Sequence, residues 1–365
     1  MLRLLLLFML LVHGLIHVLG FVKAFRLGAV AQLSKDISKP MGLFWLLAAA
    51  LFLLVFVFIL LKKEWWPVGL VAVILSQILI FSSWQDARFG SIANVVILLA
   101  TILAWGAWRF EKSYQTDVKT ALERSNAGSD ELLTENDIQH LPAPVQRYLR
   151  YAGVLNKPKV KNMRIVFTGQ MRDKGKDWFP FRSEQYNCFD EPTRLFFMKG
   201  KMYGMTVPGY HAYKNGVATM QIKVYGLFPV VNIKGDVLNK AETVTVFNDM
   251  CLLAPASLID KRIQWEAIDS TSAKAVFSSN GISISAILYF NPEGQLINFT
   301  SDDRSALDMQ QYRFSTPVHG YKALNGYQIM ERGDAVWHYP DGEFVYGKFF
   351  LQEIEYNVPG LKKGN

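Results

Sequence analysis

Apolar residues fill four runs in the first 108 positions: Leu4 to Val22, Met41 to Leu61, Trp65 to Trp84 and Phe89 to Trp108. Each is 19 to 21 residues long and contains no Asp, Glu, Lys or Arg. Roughly 20 such residues are needed to cross the hydrocarbon core of a bilayer. The pattern therefore predicts four membrane-spanning helices, with both chain ends on one side. The first run has the charge and small-residue flanks of a signal peptide, Arg3 before it and Ala29-Val30-Ala31 after it. It is longer than an ordinary signal core, and Lys23 and Arg26 separate it from the cleavage-like site, so it reads as a retained span.

Beyond Trp108 the texture changes. Glu111 to Arg124 is polar with scattered apolar positions, as in an exposed helix. Thr134 with Asp137 resembles a capping box. Pro144 then opens a helix whose stripe is Val145, Tyr148, Leu149 and Ala152, with Gly153 to close it. From about Lys159 the period drops from 3.6 to 2. Met220, Ile222 and Val224 alternate with polar neighbours, as do Ile282, Ile284, Ala286 and Leu288 before the turn Asn291-Pro292-Glu293-Gly294. Pro340-Asp341-Gly342 joins a predicted hairpin. Roughly ten strands can be drawn from such alternations, interrupted by one helix near Asn239 to Ala254. Apart from that one, no helices separate successive strands, which argues against a doubly wound parallel sheet and favours an antiparallel one, curved or a half-barrel. The fold class is thus an α-helical membrane bundle followed by a mainly antiparallel β domain with a few short helices. The domains are 1–108 (spans), 109–158 (helical connector) and 159–365 (sheet).

Charge refines this picture. Residues 1–108 hold eight Lys and Arg against three Asp and Glu, and the remainder holds 31 against 28. The basic excess therefore belongs chiefly to loops beside the bilayer, where it sets topology and meets anionic lipid. The first loop carries Lys23, Arg26, Lys35 and Lys39 and the third Arg88, against Arg3, Lys62 and Lys63 opposite. That bias puts the C-terminal domain outside the cytoplasm. The soluble part has no basic stripe, so nucleic acid is not an expected partner. Cys188 and Cys251 lack metal-ligand spacing; they would pair in an oxidising compartment or stay as two buried thiols.

Three groups of residues carry candidate chemistry. His13 and His17 lie one turn apart on the first span, and Asn94, Ser76 and Gln77 add polar groups to the third and fourth. Ionisable groups at membrane depth usually face a bundle interior. The pair reads either as neutral imidazoles bonded to neighbouring helices or as a haem, metal or proton site. Trp84, Asp86 and Arg88 form a turn at the membrane interface, where Trp84 would anchor and the charges would cap helix ends, pair with the first loop or hold a lipid head group. In the β domain no catalytic constellation is present: there is no G-x-S-x-G, H-E-x-x-H, Walker loop or C-x-x-C. Asp302-Asp303-Arg304 could bind an ion and Glu266 could be a buried acid, but these, like Glu353 with Glu355, read rather as solvated or sheet-surface charges. The density of Phe196, Phe197, Tyr210, Tyr213, Met198 and Met220 fits either an ordinary core or a cavity for an acyl chain, with Met220, Ile222, Val224, Ile284 and Leu288 as its walls.

Five stretches together resemble a known family: HGLIHVLGFVKAF, SWQDARFGSIANV, LPAPVQRYLRYAGV, WEAID and DGEFVYG. It is an uncharacterised bacterial family of four-span membrane proteins with a C-terminal β domain of unknown function. The resemblance implies architecture and a bacterial inner membrane, with no chemistry, cofactor or metal attached. More loosely, the strand pattern is similar to the half-barrel lipoprotein-carrier fold of the periplasm. The expected function is non-enzymatic: binding a lipid or lipidated protein at the bilayer surface. The alternatives are an envelope scaffold or sensor with a protein partner, and a membrane haem or redox protein using His13 and His17.

Overall fold

The computed structural model describes residues 2–125, 131–202, 204–306 and 308–362. They form two compact units, one comprising 1–110 with 225–227 and the other 111–224 with 228–365.

The first unit is helical: α1 (Leu2–Ala24), α2 (Lys39–Leu60), α3 (Trp66–Ser82), the single turn α4 (Trp84–Ala87) and α5 (Gly90–Ser125). The helices α1, α2 and α5 are long and apolar enough to cross a membrane. The third predicted run is a shorter helix of 17 residues, which rises about 25 Å against a hydrocarbon core of roughly 30 Å. Three candidate spans therefore stand where four were expected. Pro67 fixes the start of α3, and the backbone leaves helical geometry at Ser83, so both flanking tryptophans fall outside the helix. Small residues set the packing of α1 on α2. A Cβ on Gly20 would sit 2.3 Å from the Trp45 ring, and one on Gly14 3.2 Å from Phe52 Cβ; such positions let helix backbones approach closely.

In the second unit, α6 (Glu135–Ile138) starts at Thr134, whose amide donates to Asp137 Oδ2 at 2.7 Å. The helix α7 (Ala143–Tyr151) buries Val145, Tyr148 and Leu149 as the stripe predicted. The sheet contains β1 (Asn162–Met171), β2 (Phe179–Cys188), β3 (Thr193–Met202), β4 (Met205–Lys214), β5 (Val217–Val224), β6 (Phe228–Lys234) and β7 (Ile263–Ala267). It continues through β8 (Ser272–Ser279), β9 (Ile282–Phe290), β10 (Leu296–Ser301), β11 (Arg313–Ser315), β12 (Val318–Leu324), β13 (Tyr327–Tyr339) and β14 (Gly342–Tyr356). All pairings are antiparallel, in the order 6-5-4-3-2-1-14-13-11-10-9-8-7, with β12 also on β13. The sheet is open, with β6 and β7 at its edges.

One helix, α8 (Asp236–Leu253), lies against β4, β5 and β6 on one flank and against β9, β10 and β13 on the other. In a flat sheet β5 and β9 would stand about 43 Å apart at ~4.8 Å per strand, whereas a helix is only about 10–12 Å wide. The sheet must therefore curl around α8. Its far ends meet at two turns: a Cβ on Gly216 (φ +78°) would lie 2.6 Å from Asn280 Cβ. On the opposite face the tail of α5 packs through Tyr114, stacked on Phe197 at 5.1 Å, and through Asp117, which accepts from Tyr210 and pairs with Lys214.

Candidate functional site

The concave face of the sheet carries buried charge under α8. Glu242 and Asp249 are two turns apart on that helix, so they share a face, and both meet Arg194 of β3. Arg194 Nε donates to Asp249 Oδ2 at 2.8 Å and Nη1 to Glu242 Oε2 at 3.2 Å. Gln185 and Asn187 of β2 also donate to Asp249, at 2.7 and 3.0 Å. His211 Nδ1 lies 3.7 Å from Glu242 Oε1. Burial works against ionisation of Glu242, but its bond with His211 and the field of Arg194 hold its pKa down to about 2. Burial likewise opposes charge on Arg194, and the two carboxylates outweigh it, leaving its pKa raised. One guanidinium thus faces two carboxylates, with the Gln185 and Asn187 amides and the field of Arg304 supplying the rest, and the cluster ties α8 to β2 and β3.

Beside it is a pocket of about 90 Å³, partly open to solvent. Its apolar wall is Phe167, Phe314, Met330 and Phe349; Arg194, Asp249 and Arg304 bring charge to it. Arg304 differs from the other two. Its guanidinium lies 4.0 Å from the Phe314 ring centroid and 5.2 Å from that of Trp337. It donates to Tyr346 Oη at 2.9 Å; its field also reaches Glu242, but among the described residues no carboxylate lies within ion-pair distance of it. Its two acidic neighbours turn elsewhere: Asp302 pairs with Arg313, while Asp303 takes Lys240 and the Ser285 amide. A guanidinium has five N–H donors, so Arg304 keeps capacity for an anion in a wall of aromatic rings.

The predicted acyl-chain walls are placed differently. Ile284 and Leu288 are buried in the solid core of the unit, at 1% and 0% exposure. Met220, Ile222 and Val224 share a strand face with the buried Ala218 but are half-buried themselves. None of the five lines the pocket. The reason is α8, which fills the trough that alternation alone would leave empty. Glu266 is exposed beside Lys274, and Glu353 and Glu355 hold the buried Arg164 together with Glu184. Cys188 and Cys251 are free and buried; burial pushes the Cys188 thiol up to about 11.

In the helical unit His13, His17, Ser76 and Asn94 are brought together, each at most 4% exposed. His17 Nδ1 meets the His13 carbonyl at 2.8 Å and its Nε2 meets Ser76 Oγ at 2.9 Å. His13 Nε2 lies 3.0 Å from Asn94 Oδ1. The two imidazoles touch edge to face, with centroids 4.7 Å apart. Both nitrogens of His17 are engaged and no space separates the rings, so the pair as placed does not fit a bis-histidine haem or metal site. At the interface, Trp84 is exposed and Arg88 lies over the Phe89 ring at 5.1 Å. Asp86 binds the first loop: the Ser34 amide and hydroxyl donate to it at 2.7 and 2.9 Å, holding its carboxyl below the usual range.

Sequence reasoning did not pick out Arg194, Glu242 or Asp249. The available signal was a charge at each of two positions seven apart in an otherwise buried helix.

Residues 131–349 match DUF6544, a family of unknown function. No curated protein matches the chain. Among solved structures it is similar to a domain assigned to outer membrane lipoprotein sorting from Vibrio parahaemolyticus, at 8% identity and a TM-score of 0.35, covering 56% of this chain and 88% of that one. It is also similar to a LolA superfamily protein from Nitrosomonas europaea, at 10% identity and a TM-score of 0.35, covering 58% and 93%.

Proposed function

The chain belongs to DUF6544, a family of unknown function, and we propose that it is a membrane-anchored binding protein without catalytic activity. Its sheet unit takes the anionic end of a lipid or lipidated protein into the pocket beside α8. The observation that carries this reading is Arg304, held between aromatic rings at the pocket, its charge felt by Glu242 but with no carboxylate at ion-pair distance among the described residues. About 90 Å³ is well below the roughly 300–1,000 Å³ of a site that engulfs a drug-sized ligand. It suits a carboxylate or phosphate with the first part of its chain, the remainder lying outside.

Decanoate, its uncharged methyl ester and inorganic phosphate, titrated into the full-length protein, test this. Decanoate should bind saturably and raise the melting temperature by preferential association with the folded state, while the ester should bind at least about tenfold more weakly, as for loss of a charge-assisted bond. Arg304→Leu should abolish the difference between acid and ester. Phosphate binding alone would identify an anion site without a lipid. Absence of all three would leave a scaffold whose partner is a protein.

The same reading has α3 cross the bilayer as a fourth span in a bacterial cytoplasmic membrane. In support, Ser76 of α3 bonds the α1 histidines and Asn94 of α5 inside the apolar runs. The basic first loop then faces the cytoplasm and the sheet unit the outside. A reporter active only in the cytoplasm, fused to the C-terminus, should stay silent; activity there would reverse the assignment.

A further inference from the structure

The polar groups inside the helical unit form one continuous chain. Gln77 Nε2 donates to Ser91 Oγ, and Asn94 Nδ2 to Gln77 Oε1, each at 3.0 Å. Asn94 Oδ1 faces Ser76 Oγ at 3.0 Å and His13 Nε2 at 3.0 Å. Ser76 Oγ meets His17 Nε2, and His17 Nδ1 ends the chain on the His13 carbonyl.

Proton counting along it gives a definite result. A carbonyl only accepts, so His17 Nδ1 carries a hydrogen. Ser76 has one hydroxyl hydrogen and touches Asn94 Oδ1, His17 Nε2 and, at 3.3 Å, His13 Nε2; with a hydrogen on His13 Nε2 the candidate acceptors are Asn94 Oδ1 and a neutral His17 Nε2. With His17 neutral, one of these two contacts is two lone pairs face to face. With His17 protonated, every contact is satisfied: Nε2–H donates to Ser76, Ser76 to Asn94 Oδ1, and His13 Nε2–H to the same oxygen. The neutral state has its own arrangement if both amides turn over, with only the longer His13 Nε2–Ser76 Oγ contact of 3.3 Å left without a hydrogen. Ser91 then donates to Gln77, Gln77 to Asn94, Asn94 to Ser76 and His13 Nε2, and Ser76 to His17.

We propose that Ser91, Gln77, Asn94, Ser76 and His17 form a proton-binding chain that takes up one proton at His17 and reverses the direction of its hydrogen bonds in doing so. The proton comes from water, and no bond other than N–H is made. Ser91 stands in the first turn of α5, half-buried beside the turn that carries Asp86 and Arg88, so the chain opens towards that face of the unit. His17 lies seven residues before the end of α1, about 10 Å deeper along the helix. Around His17, α2 contributes Trp45 and Phe52, α3 contributes Ser76, and α5 contributes Asn94 through Ser76. Among the described residues the one titratable neighbour is His13, and no Asp, Glu, Lys or Arg lies within the four apolar runs. A charge on His17 is therefore stabilised by this chain and by no counter-ion.

The test is nitrogen NMR of the full-length chain in lipid nanodiscs, with labelled histidine and with His17→Gln to assign the signal. His17 should hold one protonated nitrogen at neutral pH and gain the second on acidification, and the side-chain amide signals of Asn94 and Gln77 should move with it. Ser76→Ala and Asn94→Leu should each lower the proton affinity of His17 by about tenfold or more, as for a lost bond to a charged group. Ser76→Thr, which keeps the hydroxyl, should titrate as the parent does. So should Ser82→Ala, whose hydroxyl bonds the Leu79 carbonyl outside the chain. The proposal is overturned if His17 stays neutral down to the pH at which helical circular dichroism is lost. It is equally overturned if Ser76→Ala and Asn94→Leu, still helical, titrate as the parent does.

Discussion

Arg194→Leu should cost the sheet unit about 3 to 5 kcal/mol, the loss expected when one partner of a buried ion group is removed and the other is left charged. The substitution keeps much of the side-chain volume but leaves Glu242 and Asp249 under α8 with amides, His211 and the more distant field of Arg304. Denaturant unfolding of the full-length protein reads the effect. Two further measurements separate charge from packing. Adding Glu242→Gln to Arg194→Leu should restore part of the loss, which a cavity would not permit. The pH dependence has a definite sign as well. Glu242 is held below its ordinary value of 4.5, at about 2, so its ionised form stabilises the fold at neutral pH. That contribution should fade as pH falls from about 4.5 towards about 2, and Glu242→Gln should flatten this acid limb. A loss under about 1 kcal/mol in Arg194→Leu, within the range of an exposed pair, would show that the cluster is not holding α8.

Leu288→Ala should cost about 2 to 5 kcal/mol, the range for removing a buried large side chain from a packed core. Leu288 is fully buried opposite Phe299 of β10 and Ala273 of β8, in the core that α8 closes. Were it the wall of an acyl cavity, the same change would cost less and would alter the affinity for decanoate. A large loss of stability with unchanged decanoate binding is expected, because the pocket lies elsewhere. A small loss with altered binding would move the site into the β8–β10 region.

How far the sequence disclosed all this depends on the range of the signal. Turn chemistry is local, so the hairpin at Asp341-Gly342 and the turn at Asn291 to Gly294 stand where they were predicted. The capping box at Thr134 and the stripe of α7 are local too. Alternation gives the faces of a strand but not what covers them. That is why Ile284 and Leu288 read from sequence as either core or cavity wall: the helix that fills the trough comes from residues 236–253. The length of α3 also escaped, because hydropathy ran smoothly through Trp65 and Trp84 while Pro67 and Ser83 set the helix ends. His13 and His17 were visible from spacing on one helix, but their partners lie 59 to 81 residues away. The Arg194 cluster was hidden for a different reason. Charges scattered over β2, β3 and α8 resemble surface residues until the fold brings them together.

The pairing of β1 with β14 at the middle of the sheet bears on how the protein is made. These two strands match Arg164 with Glu355 across 191 residues of chain, and β14 also supplies the partner for β13. Until residues 342–356 leave the ribosome, β1 to β6 and β7 to β13 are two separate ribbons, each with an unpaired inner edge. Such edges invite pairing with other chains, and closing so long a loop delays folding. The helices at the start of the chain are complete long before that moment. Biogenesis therefore divides into an early step at the bilayer and a late one in which a single strand joins the two ribbons, and a nascent chain that stalls before Gly342 should be the species that needs a chaperone.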